Sequence, residues 1–499
     1  EVDSRFEGQV LIPGLIEQHL HPLLAALTLS MEVIAIEDWV VPGGVAQGVT
    51  DRRGYLERLA AAEAEMPAND DTLFTWGFHH YFHDKLTRQD LDAISSTRPI
   101  LVWHRSVHEF ILNTPAMEKY GISPDVYATF SPSAREQSNY AEGHFWEQGF
   151  YPVLYRVLPD LTAPERLKPG LEFVERYLQS AGVTTIAEPG GLVSEELQAA
   201  LSTVLGDAST PFRSYFIVDG KTIAMQHTDN LIAATEAPLA WGSGKTAYLP
   251  DQTKLFADGA IFSPAMQMID GYTDGHEGEW MMDLDLFAAT FNTYWDAGYQ
   301  IHVHENGDAG LEMVLDVLEA AQQRNPRTDH RTTLVHFGFS TKDQVERIAK
   351  LGAIVSANPY YVTALADNYS ENGIGPERAD QMVRLGDVVR AGVPLSLHSD
   401  MPMAPAQPLY LMWAAVNRET VSGRIAGPEQ RIAVEDALEA VTLGAAYSIR
   451  LEDQIGSLMP GKLANLTSLS ASPYDVPSEQ IKNINVMGTM LEGTFYPAN

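Results

Sequence analysis

The chain contains no cysteine. That absence excludes a disulfide scaffold, thiolate zinc sites, iron–sulfur clusters and a cysteine nucleophile. Basic residues are scarce. Thirty-three Lys+Arg face 66 Asp+Glu, a formal net charge of −33. Such acidity argues against nucleic acid and anionic membrane surfaces as partners, because both are bound through basic patches. No apolar run approaches the ~20 residues needed to span a bilayer, and no secretory leader is visible. A soluble chain is expected, with the cytoplasm slightly favoured over the periplasm or export. The chain begins at Glu1 and runs within ten residues into an apolar strand. Removal of a leader or of a first structural element is therefore an open expectation. Low-complexity segments and repeats are also missing.

What is there is a large apolar complement, 45% of 499 residues, enough for a sizeable core. Eight short runs rich in Val, Ile, Leu and Phe recur: Val10–His19, Gly182–Pro189, Phe212–Val218, Lys254–Ile261, Tyr299–His304, Thr332–His336, Gly352–Asn358 and Gly392–Asp400. Such runs read as parallel strands buried on both faces. Helical spacing follows several of them, as in Gly310–Gln323, Thr341–Leu351 and Glu435–Leu443. Eight strands with helices between them predict an α/β fold, a (β/α)8 barrel spanning 10–453. The gap between the first and second runs far exceeds the roughly 30 residues of one βα unit. An aromatic-rich insertion at 23–165 is expected there as a subdomain or lid. From Gln454 onward, strands and turns alternate. With 1–9, residues 454–499 are expected to form a small β-sandwich-like domain whose N-terminal half is incomplete.

Chemistry concentrates at the strand ends. His19 and His21 form H-x-H, and period-two alternation points both rings to one face. That suits two ligands of one divalent ion. His304, His336 and Asp400 each end a later run, at spacings of about one and then two βα units. Barrel active sites are built at this end of the strands, so the combination predicts a metal site. Lys254 falls one somewhat long unit before His304. Burial lowers a lysine's pKa and frees its amine to react with CO2. An ion pair with Asp258 or Glu188 is the equally weighted alternative. His302 and His398 share strand faces with His304 and Asp400, as hydrogen-bonding supports or as loop-packing groups. His79, His80 and His83 cluster after Trp76–Gly77 and read as a wall on the substrate side, with a further metal site there the less favoured reading.

Several stretches resemble the amidohydrolase superfamily, and within it the YtcJ-like branch, amidohydrolase family 3. They are PGLIEQHLHP at 13–22, HRSVHEFILNTPAM at 104–117, KLFADGAI at 254–261, HVHENGDAG at 302–310, VHFG at 335–338, LHSDMPMAP at 397–405 and GSLMPGKLANL at 456–466. They run in family order from one end of the chain to the other. The resemblance implies that His19 and His21 bind a buried metal. It implies that a carboxylated Lys254 bridges to a second metal held by His304 and His336. Asp400 would ligate the buried metal and shuttle protons. His108 matches a substrate-facing histidine of the inserted subdomain, Asn113 the family's N-S element, and Glu147 another Glu of that subdomain, and the resemblance implies that all three contact the substrate. Departures are Glu17 and Asn465, both in place of Asp, and Arg105–Ser106 near His108. None touches a metal ligand, and those near His108 bear on the substrate.

The expected cofactor is one or two divalent ions, zinc foremost. The expected reaction is hydrolysis of a C–N bond in a small molecule, an amide, formamide or cyclic amide other than a peptide. Metal-activated water attacks, Asp400 moves the proton, and the other metal or His108 polarises the carbonyl. Trp76 and its aromatic neighbours would line the substrate side, although a hydrophobic core would look the same. The alternatives are an esterase, lactonase or carbamate hydrolase on the same site, and a non-catalytic metal-binding barrel. A homo-oligomer is expected only by analogy with other barrels.

Overall fold

The computed structural model describes residues 4–67, 71–191 and 194–498. Residues 1–3 of the N-terminal stretch discussed above lie outside these. Two compact units emerge. The first is Glu1–Pro22, Val174–Asp258 and Met266–Asn499; the second is Leu23–Phe173 with Gly259–Ala265. Among the described residues no helix is long and apolar enough to cross a membrane.

The first unit is built on eight parallel strands in chain order: β1 (Leu15–Glu17), β2 (Val183–Pro189), β3 (Arg213–Asp219), β4 (Thr246–Phe256), β5 (Gln300–Glu305), β6 (Thr333–His336), β7 (Ile354–Ala357) and β8 (Leu395–Leu397). Every residue of β2, β5, β6 and β7 is buried, as double-sided cover by helices requires. The connecting helices carry their own start and stop signals. Lys342–Leu351 opens on a Thr341/Gln344 capping box and ends at Gly352, whose φ of +75° is the left-handed conformation that terminates helices.

Adjacent strands from β1 to β8 pair in sequence, whereas β8 and β1 close the ring by other means. Gln18 Nε2 donates to the Leu397 carbonyl at 3.0 Å, and the Ser399 N–H donates to Glu17 Oε2 at 3.0 Å. Just beyond the strands, Asp400 N–H donates to His19 O and His21 N–H to Met401 O, each at 3.0 Å. Asp400 has φ +55°, a sharp turn directly after the last strand.

Three sequence expectations shift in detail. The run Val10–His19 divides between two sheets. Val10–Pro13 pairs antiparallel with Leu466–Leu469, and only Leu15–Glu17 enters the barrel. The N-terminal strand of the small sheet is thus Val10–Pro13 rather than part of 1–9, and Ser4–Phe6 is a 3-10 turn. Strand β4 starts at Thr246, so Lys254 lies near its end rather than at its start.

The small sheet has the order Val10–Pro13, Leu466–Leu469, Val486–Leu491, Thr494–Pro497. Thr467 ties it to the barrel: its Oγ1 donates to Gly182 O at 2.7 Å and accepts from Leu15 N–H at 3.1 Å. Asn465 locks the neighbouring turns, accepting Gly14 N–H on its carbonyl and Glu492 N–H on its side chain, both at 2.9 Å.

The second unit holds a mixed six-stranded sheet in the order Glu32–Val33, Leu73–Phe78, Ile100–His104, Glu109–Leu112, His144–Trp146, Ser138–Asn139. Its first three strands are parallel and the rest antiparallel. Tyr55, Leu59, Phe78, Ile100 and Ile111 belong to its core.

Candidate metal centre

The candidate ligands of the first unit gather where barrel strands stop. His19 and His21 follow β1, Lys254 and His304 lie near the ends of β4 and β5, His336 ends β6, and Asp400 follows β8. Asp400 Oδ1 is 3.3 Å from His19 Nε2 and 3.2 Å from His21 Nε2. Its Oδ2 is 3.5 Å from His336 Nδ1. His19, His21 and Asp400 present three donor atoms within 4.8 Å of one another. The His336 ring lies 4.9 Å from His19 and 4.5 Å from His304, centroid to centroid. Lys254 is buried, level with His302 in the neighbouring strand. Close packing demands glycine at 190, where a Cβ would sit 2.7 Å from Lys254 Cγ and φ is +80°.

Burial sets the protonation of this cluster. It drives His19 and His336 well below the usual imidazole range, and the Lys254 charge adds to the effect. Neutral rings keep the lone pairs that a metal needs. His21 differs. Burial opposes its charged form, but hydrogen bonds to Asp400 and Glu188 outweigh it and raise the ring to about 9. Burial also lowers Lys254 to about 7, against the pull of Asp400, Asp219 and Glu305. Its amine is therefore substantially unprotonated near neutrality. The neutral imidazoles of His19 and His336, one carboxylate and an unprotonated amine in a buried cluster form a donor set that fits a divalent, borderline-soft ion such as zinc, which would displace the His21 proton.

The structure also assigns supporting groups. Glu188 Oε1 meets His21 Nδ1 at 3.2 Å, so it partners this histidine. Asp258, the other partner considered for Lys254, accepts the backbone N–H groups of Asn306, Gly307 and Gln267 at 2.8–2.9 Å. His398 connects His336 Nδ1 (3.2 Å) to Ser356 Oγ (2.9 Å) and stacks on His19 at 4.7 Å. His302 turns away, to Gln252 Oε1 at 3.0 Å. Glu17 accepts both the N–H and the hydroxyl of Ser399 at 3.0 Å. Burial lifts it to about 8. It is thus a largely neutral clasp at the seam rather than an extra anion. Glu188 carried no strand-end signal of its own beyond lying in the second run.

In the second unit two expected substrate contacts are spent on the fold. Asn113 is buried with its amide fully used: Oδ1 accepts Ile100 and Ala116 N–H at 2.8 and 3.0 Å, and Nδ2 donates to Ser95 and Arg98 carbonyls. It caps the helix Thr114–Lys119, which corrects its assignment to substrate. Trp76 is wholly buried, 5.3 Å from Trp39 and under the Arg105 guanidinium at 4.7 Å, so it too is core. Glu147, at φ +41°, holds His108 Nδ1 at 3.1 Å, and its N–H donates to the His108 carbonyl. Of the histidine triplet, His79 Nδ1 accepts Tyr81 N–H, while His83 accepts His79 N–H and meets the Val49 carbonyl.

Residues 6–496 match a family described as the Amidohydrolase family. The chain belongs to that family. This amidohydrolase is accordingly a hydrolase. It is 23% identical over 97% of its length to putative amidohydrolase YtcJ of Bacillus subtilis, covering 88% of that protein. It is 28% identical to the N-substituted formamide deformylase of Arthrobacter pascens across 48% of this chain and 44% of that one. Among solved structures, an uncharacterized metal-dependent hydrolase from Pyrococcus horikoshii superposes with a TM-score of 0.69 at 20% identity, covering 95% of this chain and 88% of that one. That likeness is one of fold.

Proposed function

We propose that this amidohydrolase cleaves a non-peptide C–N bond beside a carbonyl, in an amide, formamide or cyclic amide, with Asp400 as proton shuttle. The observation that carries the reading is the Asp400 carboxylate, which lies within 3.2–3.5 Å of three imidazole nitrogens from two different strand ends. A divalent ion, zinc foremost, bound there would supply Lewis acidity that brings the pKa of water near 7. His19, His21 and Asp400 would hold one ion, and His304 and His336 a second. Lys254 would bridge the two after its unprotonated amine attacks CO2 and sheds one proton to form a carbamate. Asp400 takes the proton of the attacking water and then delivers it to the departing nitrogen. Glu188 and His398 fix the ring orientations of His21 and His336 while this happens. His108, held by Glu147, is assigned to the substrate by its position in the family motif. Partial similarity to a formamide deformylase favours formamides within the amide class.

Chain loaded with zinc and bicarbonate is assayed on formanilide, 4-nitroacetanilide and 4-nitrophenyl acetate. Anilide turnover that Asp400→Asn abolishes is the expected result. Ester cleavage without any anilide or formanilide cleavage would replace this reading with an esterase. No turnover of any probe by metal-loaded chain would favour a non-catalytic barrel.

A further inference from the structure

A second cluster of metal-binding groups lies entirely within the second unit. Glu109 is at its centre, with its side chain 5% exposed. His144 Nε2 lies 2.7 Å and His80 Nε2 2.9 Å from the same oxygen, Oε2. His104 Nδ1 is 3.5 Å from Oε1. The His104 and His80 rings stack at 4.7 Å, and His80 and His144 lie 5.5 Å apart. Ser263 Oγ donates to Glu109 Oε1 at 2.7 Å, fixing the carboxylate and leaving Oε2 towards the two imidazoles.

Sheet register makes this cluster. Trp146 pairs with Glu109 and His144 with Ile111, which places His144 and Glu109 diagonally on one face. His104 follows the ladder pair Trp103–Phe110 on the adjoining strand. His80 opens the helix His80–His83. Four imidazole or carboxylate donors thus converge from four separate pieces of chain.

The spacing fits an ion. Donors around a tetrahedral zinc with bonds near 2.0–2.1 Å sit about 3.3 Å apart, and the contacts to Glu109 run from 2.7 to 3.5 Å. His80, His104 and Glu109 offer donor atoms within 4.8 Å of one another. Further, His104 is wholly buried and its Nε2 has no hydrogen-bond partner among the described residues. Nδ1, the ring nitrogen nearest Glu109, already meets Ser106 Oγ at 2.9 Å and Ser106 N–H at 3.1 Å, so ligation through Nε2 would remove the cost of about 1–3 kcal/mol that a buried polar atom left without a partner carries. Burial keeps His104 neutral even against the pull of Glu109.

We infer that His80, His104, Glu109 and His144 form a divalent-metal site, zinc by preference, separate from the strand-end cluster of the barrel. Its place among strand ends of the inserted sheet gives it a structural role, stapling those elements as closed His/carboxylate sites do.

Full-length chain, its His144→Ala and Glu109→Gln variants, and a His19→Ala/His21→Ala control are dialysed against zinc, and metal per chain is counted by plasma mass spectrometry. The control is expected to lose barrel ions and keep one. His144→Ala and Glu109→Gln should each hold one ion fewer than wild type, and should empty the control when combined with it. Cobalt at this site should give visible absorption that His144→Ala removes. Folded variants that keep the wild-type count overturn the inference. So does an unsubstituted chain that takes up no ion beyond those lost with the barrel ligands. If Glu109→Gln does not fold, the more exposed His144 decides the matter.

Discussion

Replacing Arg105 by Met should destabilise the second unit severely. Arg105 stands in the motif around His108 where the family resemblance anticipates other residues, and its side chain is fully buried. Its Nε is 3.1 Å from Glu37 Oε1, and Nη2 contacts the same oxygen. The guanidinium lies 4.3 Å from the Phe262 ring, 4.7 Å from Trp76 and 5.3 Å from Trp39. Glu37 Oε2 is buried without a hydrogen-bond partner among the described residues, so Arg105 carries its neutralisation. Breaking a buried pair from one side costs about 3–5 kcal/mol. Each desolvated cation–π contact adds roughly 0.5–2 kcal/mol, and the methionine stem recovers part of the packing. A net loss of about 4–6 kcal/mol is expected for Arg105→Met. Glu37→Gln in the same chain should restore about 2–3 kcal/mol, because the stranded carboxylate is gone. Urea unfolding followed by tryptophan emission reads this transition, since Trp39 and Trp76 flank the guanidinium. A single-variant loss below about 1 kcal/mol, or a coupling within about 0.5 kcal/mol of zero, would refute the claim that Arg105 is a core strut.

Three further outcomes are expected. Asp400→Asn should lower kcat/KM about 100- to 10,000-fold, the range of a lost general acid–base, with unchanged circular dichroism; retention of a tenth of the activity would remove the proton-shuttle role. Asn113→Ala should cost about 2–4 kcal/mol, through a lost cap and stranded backbone groups, while KM stays level; a raised KM with intact stability would return Asn113 to the substrate. His83 is lowered by burial from 6.5 to about 4. The unfolded chain then binds the extra proton between those values, so its contribution is complete above pH 6.5 and drains away towards pH 4. That contribution is on the order of 3 kcal/mol, and acid unfolding curves for His83→Gln should be flatter by that amount; superimposable acid limbs would contradict it.

The barrel and the side chains gathered at its strand ends were legible because both obey short-range rules. Buried parallel strands are continuous apolar runs, and His304, His336 and Asp400 stand one residue type after another at their ends. The second unit was less legible, for a physical reason. His80, His104, Glu109 and His144 meet through antiparallel register and a helix start, which no spacing along the chain encodes. His80 was noticed, but within the wrong triplet, since His79 and His83 are bound to local backbone. Asn113 shows the converse. A residue in a family motif reads as functional, yet burial and four satisfied hydrogen bonds make it structural.

The ring of strands is a hoop whose ends meet without a ladder. Between β8 and β1 the joint consists of a neutral carboxyl clasp, one amide and two backbone contacts, and Asp400 on one lip faces His19 and His21 on the other. Anything that grips all three side chains is also a rivet across the joint. Amide hydrogens of His21 and Asp400 should therefore exchange as a pair, slowly when the cluster is gripped and faster when a chelator strips it. Loss of an ion held there and loosening of the barrel would then be one event.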